Sequence, residues 1–171
     1  MARPRRLVLG LGNRLVGEDG FGSAVIEMLR RRPDLPANVD LVDAHTDLLA
    51  HLETIASYDE VVLVDVVVGA SGTPTPDVAR RAGSGEGGHA GDVAVVDEET
   101  FSGWPETSPS CHQISPLLAV KLFRALHPEA ATRITLVALH ADEVRAAPGV
   151  AILVVTAGAE AVARLISGHA S

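Results

Sequence analysis

Leu7–Gly22 reads LVLGLGNRLVGEDGFG. Leu7–Leu11 is a short continuous apolar run bounded by glycine, the pattern of a strand buried on both faces. Gly12-Asn13 turns the chain. Glu18 and Asp19 follow, and from Phe21 the spacing changes. Phe21, Val25, Met28 and Leu29 share one side of a helix over Phe21–Arg32, while Glu27 and Arg31 lie four apart on the other. Pro33 and Pro36 end it. A buried strand that passes through a glycine turn into an amphipathic helix is the opening of an α/β unit.

The alternation continues outward from there. Val39–Val42 is a second short strand. Leu48, Leu49, Leu52 and Ile55 have helical spacing, and Thr46 or Asp47 suits the cap. Val61–Val68, VVLVDVVV, is the strongest strand, apolar on both faces except at Asp65. This β-α-β-α-β order predicts a mainly parallel sheet with helices on both faces. Gly69–Gly91, which contains GSGEGGHAG, reads as a flexible loop. Asp92–Val96 is a strand with no helix before it, so it is expected antiparallel at an edge. Thr107–Cys111 reads as loop. Ser115-Pro116 is an N-cap and first helical position, and Leu117, Leu118, Leu122 and Leu126 fit the helix behind it. Ile134–Leu139 is another buried strand. Val150–Thr156 has strand composition but runs into the helical Ala157–Ile166, and helix is the reading for most of 151–167. No internal repeat or second domain is visible, so one domain over residues 1–171 is expected, with a flexible loop at about 70–91.

Composition narrows the function classes. At 47% hydrophobic and 3% aromatic residues, the core is built from Val, Leu, Ile and Ala. The formal net charge is −8, and the basic residues form no stripe, which argues against nucleic acid or an anionic membrane as partner. Cys111 is the single cysteine, so no internal disulfide forms, and a reducing, cytoplasmic setting fits. The start, MARPRR, reads as a ragged N-terminus before strand one rather than an export signal. No stretch is long and apolar enough to span a bilayer.

Open parallel sheets bind ligands beyond the carboxyl ends of their strands. Glu18 and Asp19 follow the first strand, Asp65 stands near the end of the third, and His112 precedes a helix. A charge within VVLVDVVV costs free energy unless it is paired or meets a cation. Two carboxylates and an imidazole suit a borderline divalent ion such as nickel or zinc. Spacing alone leaves plainer roles open. Glu18 and Asp19 also suit the start of the helix, Asp65 suits backbone N–H groups, and His112 suits an ordinary loop. His45 and His140, each after a strand, are placed to flank the cleft; His51, His89, His127 and His169 show no ligand spacing. Cys111 lies in no nucleophile elbow, and no serine sits in G-x-S-x-G. GLGNRLVG carries Leu15 where a dinucleotide fingerprint needs its third glycine, and no P-loop lysine follows.

LVLGLGNRLVGEDGFG resembles the G-x-G-N-x-L-x-x-D-[DE]-x-x-G signature of the [NiFe]-hydrogenase maturation endopeptidases. VVLVDVVV resembles the family's strand ending in a metal-binding aspartate, SCHQISP its S-x-H-Q-[LI] segment, and ITLVALH its last strand. The resemblance implies one α/β domain around a twisted five-stranded sheet. It implies a cytoplasmic, aspartyl-type protease that removes a C-terminal peptide from the hydrogenase large-subunit precursor. By position it makes Asp19, Asp65 and His112 the metal ligands and catalytic residues, and leaves Glu18 its helix-capping role. The nickel is supplied by the substrate and is not a resident cofactor, and a monomer is favoured. Asn13 and Gln113 are candidates for shaping the cleft or holding the substrate chain. Three departures stand out. Asp43-Ala44-His45-Thr46 replaces the usual D-G-G-T, Arg80–Gly91 looks longer than usual, and the last segment lacks an L-S-P helix start. Two other functions compete. One is a module that binds the nickel-loaded precursor without cutting it, and the other is a nucleotide-binding α/β domain.

Overall fold

All six residues of strand β1, Arg6–Leu11, are buried, which only a strand flanked on both edges and covered on both faces achieves. The computed structural model describes residues 3–68, 91–104, 115–144 and 149–168. After β1 come a 3-10 turn at Gly17–Gly20, helix α1 at Phe21–Arg30 and strand β2 at Val39–His45. A 3-10 turn at Leu49–His51 runs into α2 at Leu52–Ala56, followed by β3 at Glu60–Val68. Then come β4 at Val93–Asp97, α3 at Glu98–Ser102, α4 at Pro116–Leu126, β5 at Arg133–Ala141 and α5 at Ile152–Ser167. The sheet order is β2-β1-β3-β5-β4. β1 pairs parallel with β2 and β3, and β3 pairs parallel with β5. β4 is the antiparallel edge strand beside β5. The mostly parallel five-stranded sheet read from the sequence is the one observed.

Strand periodicity divides the core in two. Leu7, Leu9, Leu11, Val61 and Leu63 face Leu52, Ile55, Phe101, Leu117, Val120 and Phe123, so α2, α3 and α4 cover that face. Val8, Val62, Val64 and Val66 face Phe21, Val25, Ile26, Leu29, Val155, Val162 and Ile166, so α1 and α5 cover the other. On α1 the expected ion pair forms, with Arg31 and Glu27 2.9 Å apart. Ser115 caps α4 as read, its Oγ accepting from the Leu118 amide at 3.2 Å. Asp47 serves the 3-10 turn, its Oδ1 accepting from the Ala50 amide at 3.1 Å.

Several expectations change. The segment from Leu48 is half 3-10 turn and half short α-helix. β2 runs three residues further than its apolar run, because β1 pairs with it as far as His45. Arg6 belongs to β1 rather than to a ragged lead-in. It is buried, with its guanidinium on Glu60 at 2.5 Å and on the Ile166 carbonyl at 2.8 Å. α5 takes in most of the strand-like VAILVVT run, since Val155, Ala159, Val162 and Ile166 form its buried stripe, while Ile152 and Leu153 stay 67% and 80% exposed. α3 was not expected. The loop readings of Gly69–Gly91, apart from Gly91 itself, and of Thr107–Cys111, together with His112 and Gln113, lie outside the described residues. Among the described residues no helix is long and apolar enough to cross a membrane.

Candidate functional site

The chain leaves β1 on one side to form β2 and returns to form β3 on the other. Connections that diverge in this way open a crevice beyond the carboxyl ends of the two strands, and ligands of open α/β sheets bind there. Pairing of β1 with β3 ends at Gly10 and Val64. Asp65 is the next residue, held on its other side by the register with Ala138 of β5. It is 0% exposed, and its Oδ1 accepts from the Val66 amide at 2.8 Å. By alternation it shares the face of Val61 and Leu63, the face that α4 covers.

Asp19 comes from the turn on the β1 side of the crevice. The 3-10 turn Gly17–Gly20 packs against β3, and Asp19 is 2% exposed within it. Its Oδ2 accepts from the Asn13 amide at 2.9 Å. Asn13 Oδ1 accepts from the Leu15 amide at 3.0 Å, so Asn13 shapes the turn locally. Two glycines make this packing possible. Gly12 has φ +126°, and a Cβ there would lie 1.6 Å from the Asp19 carbonyl oxygen. A Cβ on Gly22 would lie 2.2 Å and 2.3 Å from the carbonyl oxygens of Leu11 and Val64, which is how closely α1 lies on the sheet.

The helix-cap role does not hold for this acid pair as read. α1 starts after Gly20, which has no side chain to cap it. Both acids fall in the 3-10 turn before it instead. Asp19 and Asp65 therefore lie on two neighbouring elements at the switch point. His112, the third residue of the expected set, lies outside the described residues; the chain reaches Ser115 and α4 three residues later. Among the described residues no group of three or more His, Cys, Asp and Glu side chains forms a metal site.

Around this crevice the structure adds groups that sequence spacing did not single out. Asp43, at the end of β2, accepts from Ser23 Oγ at 2.6 Å and from the Arg14 guanidinium at 2.8 Å. Burial pushes its carboxyl up, but the donors Ser23, Arg14 and the His45 amide outweigh that and hold it below the ordinary carboxylate range. The available signal was an acid at the carboxyl end of a strand, the same signal that marks Asp65. His45 and His140 flank the crevice as read, on β2 and β5. A cleft of about 370 Å³ opens beside Glu18 and is lined by His140, Asp142, Glu143 and Val150. His127 is structural, stacked on Phe123 with ring centroids 5.3 Å apart.

The same geometry disfavours a nucleotide. A phosphate in a glycine turn needs its backbone amides and tolerates no anion beside them. Here the Asn13 amide already donates to the Asp19 carboxylate.

No family model matches the chain. Curated relatives match over a limited stretch. The hydrogenase 2 maturation protease of Escherichia coli K12 is 33% identical over 70 residues, 41% of this chain and 43% of that protein. The hydrogenase expression/formation protein HupD of Rhodobacter capsulatus is 38% identical over 66 residues, 38% of this chain and 31% of that protein. The matched stretch thus spans less than half of either relative. The whole fold extends the likeness. The hydrogenase maturating endopeptidase HybD of E. coli superposes with a TM-score of 0.72 at 24% identity, covering 96% of this chain and 94% of that one. The [NiFe]-hydrogenase maturation protease HycI of Thermococcus kodakarensis gives 0.67 at 17%, over 96% and 91%. The resemblance to the hydrogenase maturation proteases holds. It is carried by sequence over about two fifths of the chain and by fold over nearly all of it. In this chain Asp19 and Asp65 are buried on neighbouring elements at the switch point.

Proposed function

We propose that the protein is an endopeptidase that removes a C-terminal peptide from a nickel-loaded [NiFe]-hydrogenase large-subunit precursor in the cytoplasm. In this reading Asp19, Asp65 and His112 bind the nickel that the precursor brings as part of the substrate. One observation carries the reading: two buried acids stand on neighbouring elements at the switch point of a fold shared with hydrogenase maturation proteases. The sequence supports the third ligand, since His112 precedes α4, and α4 covers the face of the sheet that holds Asp65.

Carboxylate and imidazole donors suit nickel and leave positions open for the substrate. Held by Asp19, Asp65 and His112, the substrate's nickel would supply Lewis acidity for the scissile carbonyl or for a water. In the alternative route a carboxylate free of the ion acts as general base instead. The cleft of about 370 Å³ is lined by Glu18, the neighbour of Asp19 in the turn, and gives a substrate segment room there.

The test is processing of the nickel-loaded precursor by wild type, His112→Ala and Asp65→Asn. Losing even an outer-shell partner costs a metal site about 10–100-fold, so each variant is expected to lose at least about a hundredfold. Circular dichroism is expected to stay native. Normal cleavage by His112→Ala would sink the metal-site assignment. Stable complex formation with no loss of precursor mass by wild type would favour the non-cleaving binding module.

A further inference from the structure

Among the described residues one non-glycine position has a left-handed backbone, His45 at φ +51°. That conformation crowds Cβ against the following carbonyl, and glycine adopts it without the crowding. Burial does not account for a histidine there, because its side chain is 68% exposed. Strain retained at an exposed residue beside a site points towards function.

The surroundings say which function. The Gly12 amide donates to the His45 carbonyl at 2.6 Å, and the next amide, Asn13, donates to the Asp19 carboxylate at 2.9 Å. Consecutive amides of one turn thus anchor His45 and Asp19 together. The His45 amide donates to Asp43 Oδ1 at 3.3 Å, and Nδ1 of its ring lies 3.4 Å from the same oxygen. Asp43 is itself fixed by Ser23 and Arg14. A carboxylate at Nδ1 favours the tautomer that carries its proton there. Nε2, on the far side of the ring from Asp43, is then a hydrogen-bond acceptor on the exposed side.

We infer that His45 is a substrate-binding residue that engages the protein substrate, its Nε2 accepting a backbone N–H of an extended chain crossing the carboxyl edge of the sheet. The inference rests on the endopeptidase reading above. It makes His45 a contributor to substrate binding, equal in the ground state and the transition state, and gives it no part in the bond-breaking step.

The experiment compares wild type, His45→Gly and His45→Gln in steady-state cleavage of the nickel-loaded precursor, with thermal unfolding of the same samples. His45→Gly relieves the backbone, so its melting temperature is expected to rise. One lost hydrogen bond raises KM about five- to tenfold with kcat within about twofold. His45→Gln restores an acceptor and recovers part of the KM. A KM for His45→Gly within about twofold of wild type overturns the inference. A lower melting temperature with a parallel fall in kcat also overturns it, by making His45 structural. If wild type cuts no precursor, the endopeptidase reading fails and takes this inference with it. That outcome is distinct from an active wild type with an indifferent His45.

Discussion

Asp43 shows how single groups around the crevice are balanced. Burial works against its charge, while Ser23, Arg14 and the His45 amide work for it, and the donors prevail. Its folded pKa therefore lies below the unfolded value. The stability it contributes is fully present above the unfolded pKa and is lost as pH falls through the folded one. The unfolding free-energy difference between wild type and Asp43→Asn is expected to be constant above about pH 5 and to shrink towards acid. Urea unfolding at stepped pH measures it, and a difference that widened on acidification would contradict the assignment. Much at this scale was legible in the sequence. A lone acid within VVLVDVVV and an acid pair after a glycine turn were visible because charge in an apolar context is conspicuous. The left-handed backbone of His45 was not. It arises where the β1–β2 register shifts between Gly10 and Leu11, which is a property of two strands together.

Among the elements, long periodic segments announced themselves and short ones did not. α1, β3 and α4 emerged close to their expected limits because each has an apolar stripe or run and a recognisable end. α3 has five residues and one fully buried side chain, Phe101, too little to form a pattern. Its start was nonetheless written in the sequence. Asp97 accepts from the Thr100 amide at 2.8 Å, with Glu98 and Glu99 in the first turn where the helix dipole favours them. Removing that cap by Asp97→Ala is expected to cost about 1 kcal/mol, read by chemical denaturation. An unchanged midpoint would mean that Phe101 and the Glu98–Arg124 pair hold α3 without the cap. The Arg124–Glu98 pair at 2.6 Å ties α3 to α4, and Arg124 also donates to the Thr132 carbonyl before β5.

For the whole molecule, function follows from order in the sheet. β1 and β3 lie side by side while their connections diverge, so the turn after β1 and the end of β3 share one crevice. The β-α-β-α-β alternation foretold the parallel sheet, but strand order is a tertiary fact, and it is the order that draws Asp19 and Asp65 to one place. In the proposed function this crevice reads nickel on a precursor and licenses cleavage. Intact mass of the precursor, nickel-loaded and nickel-free, after incubation with the purified protein tests it most directly. Loss of a C-terminal peptide from the loaded form alone is the predicted result. Equal trimming of both forms, or of neither, would contradict it.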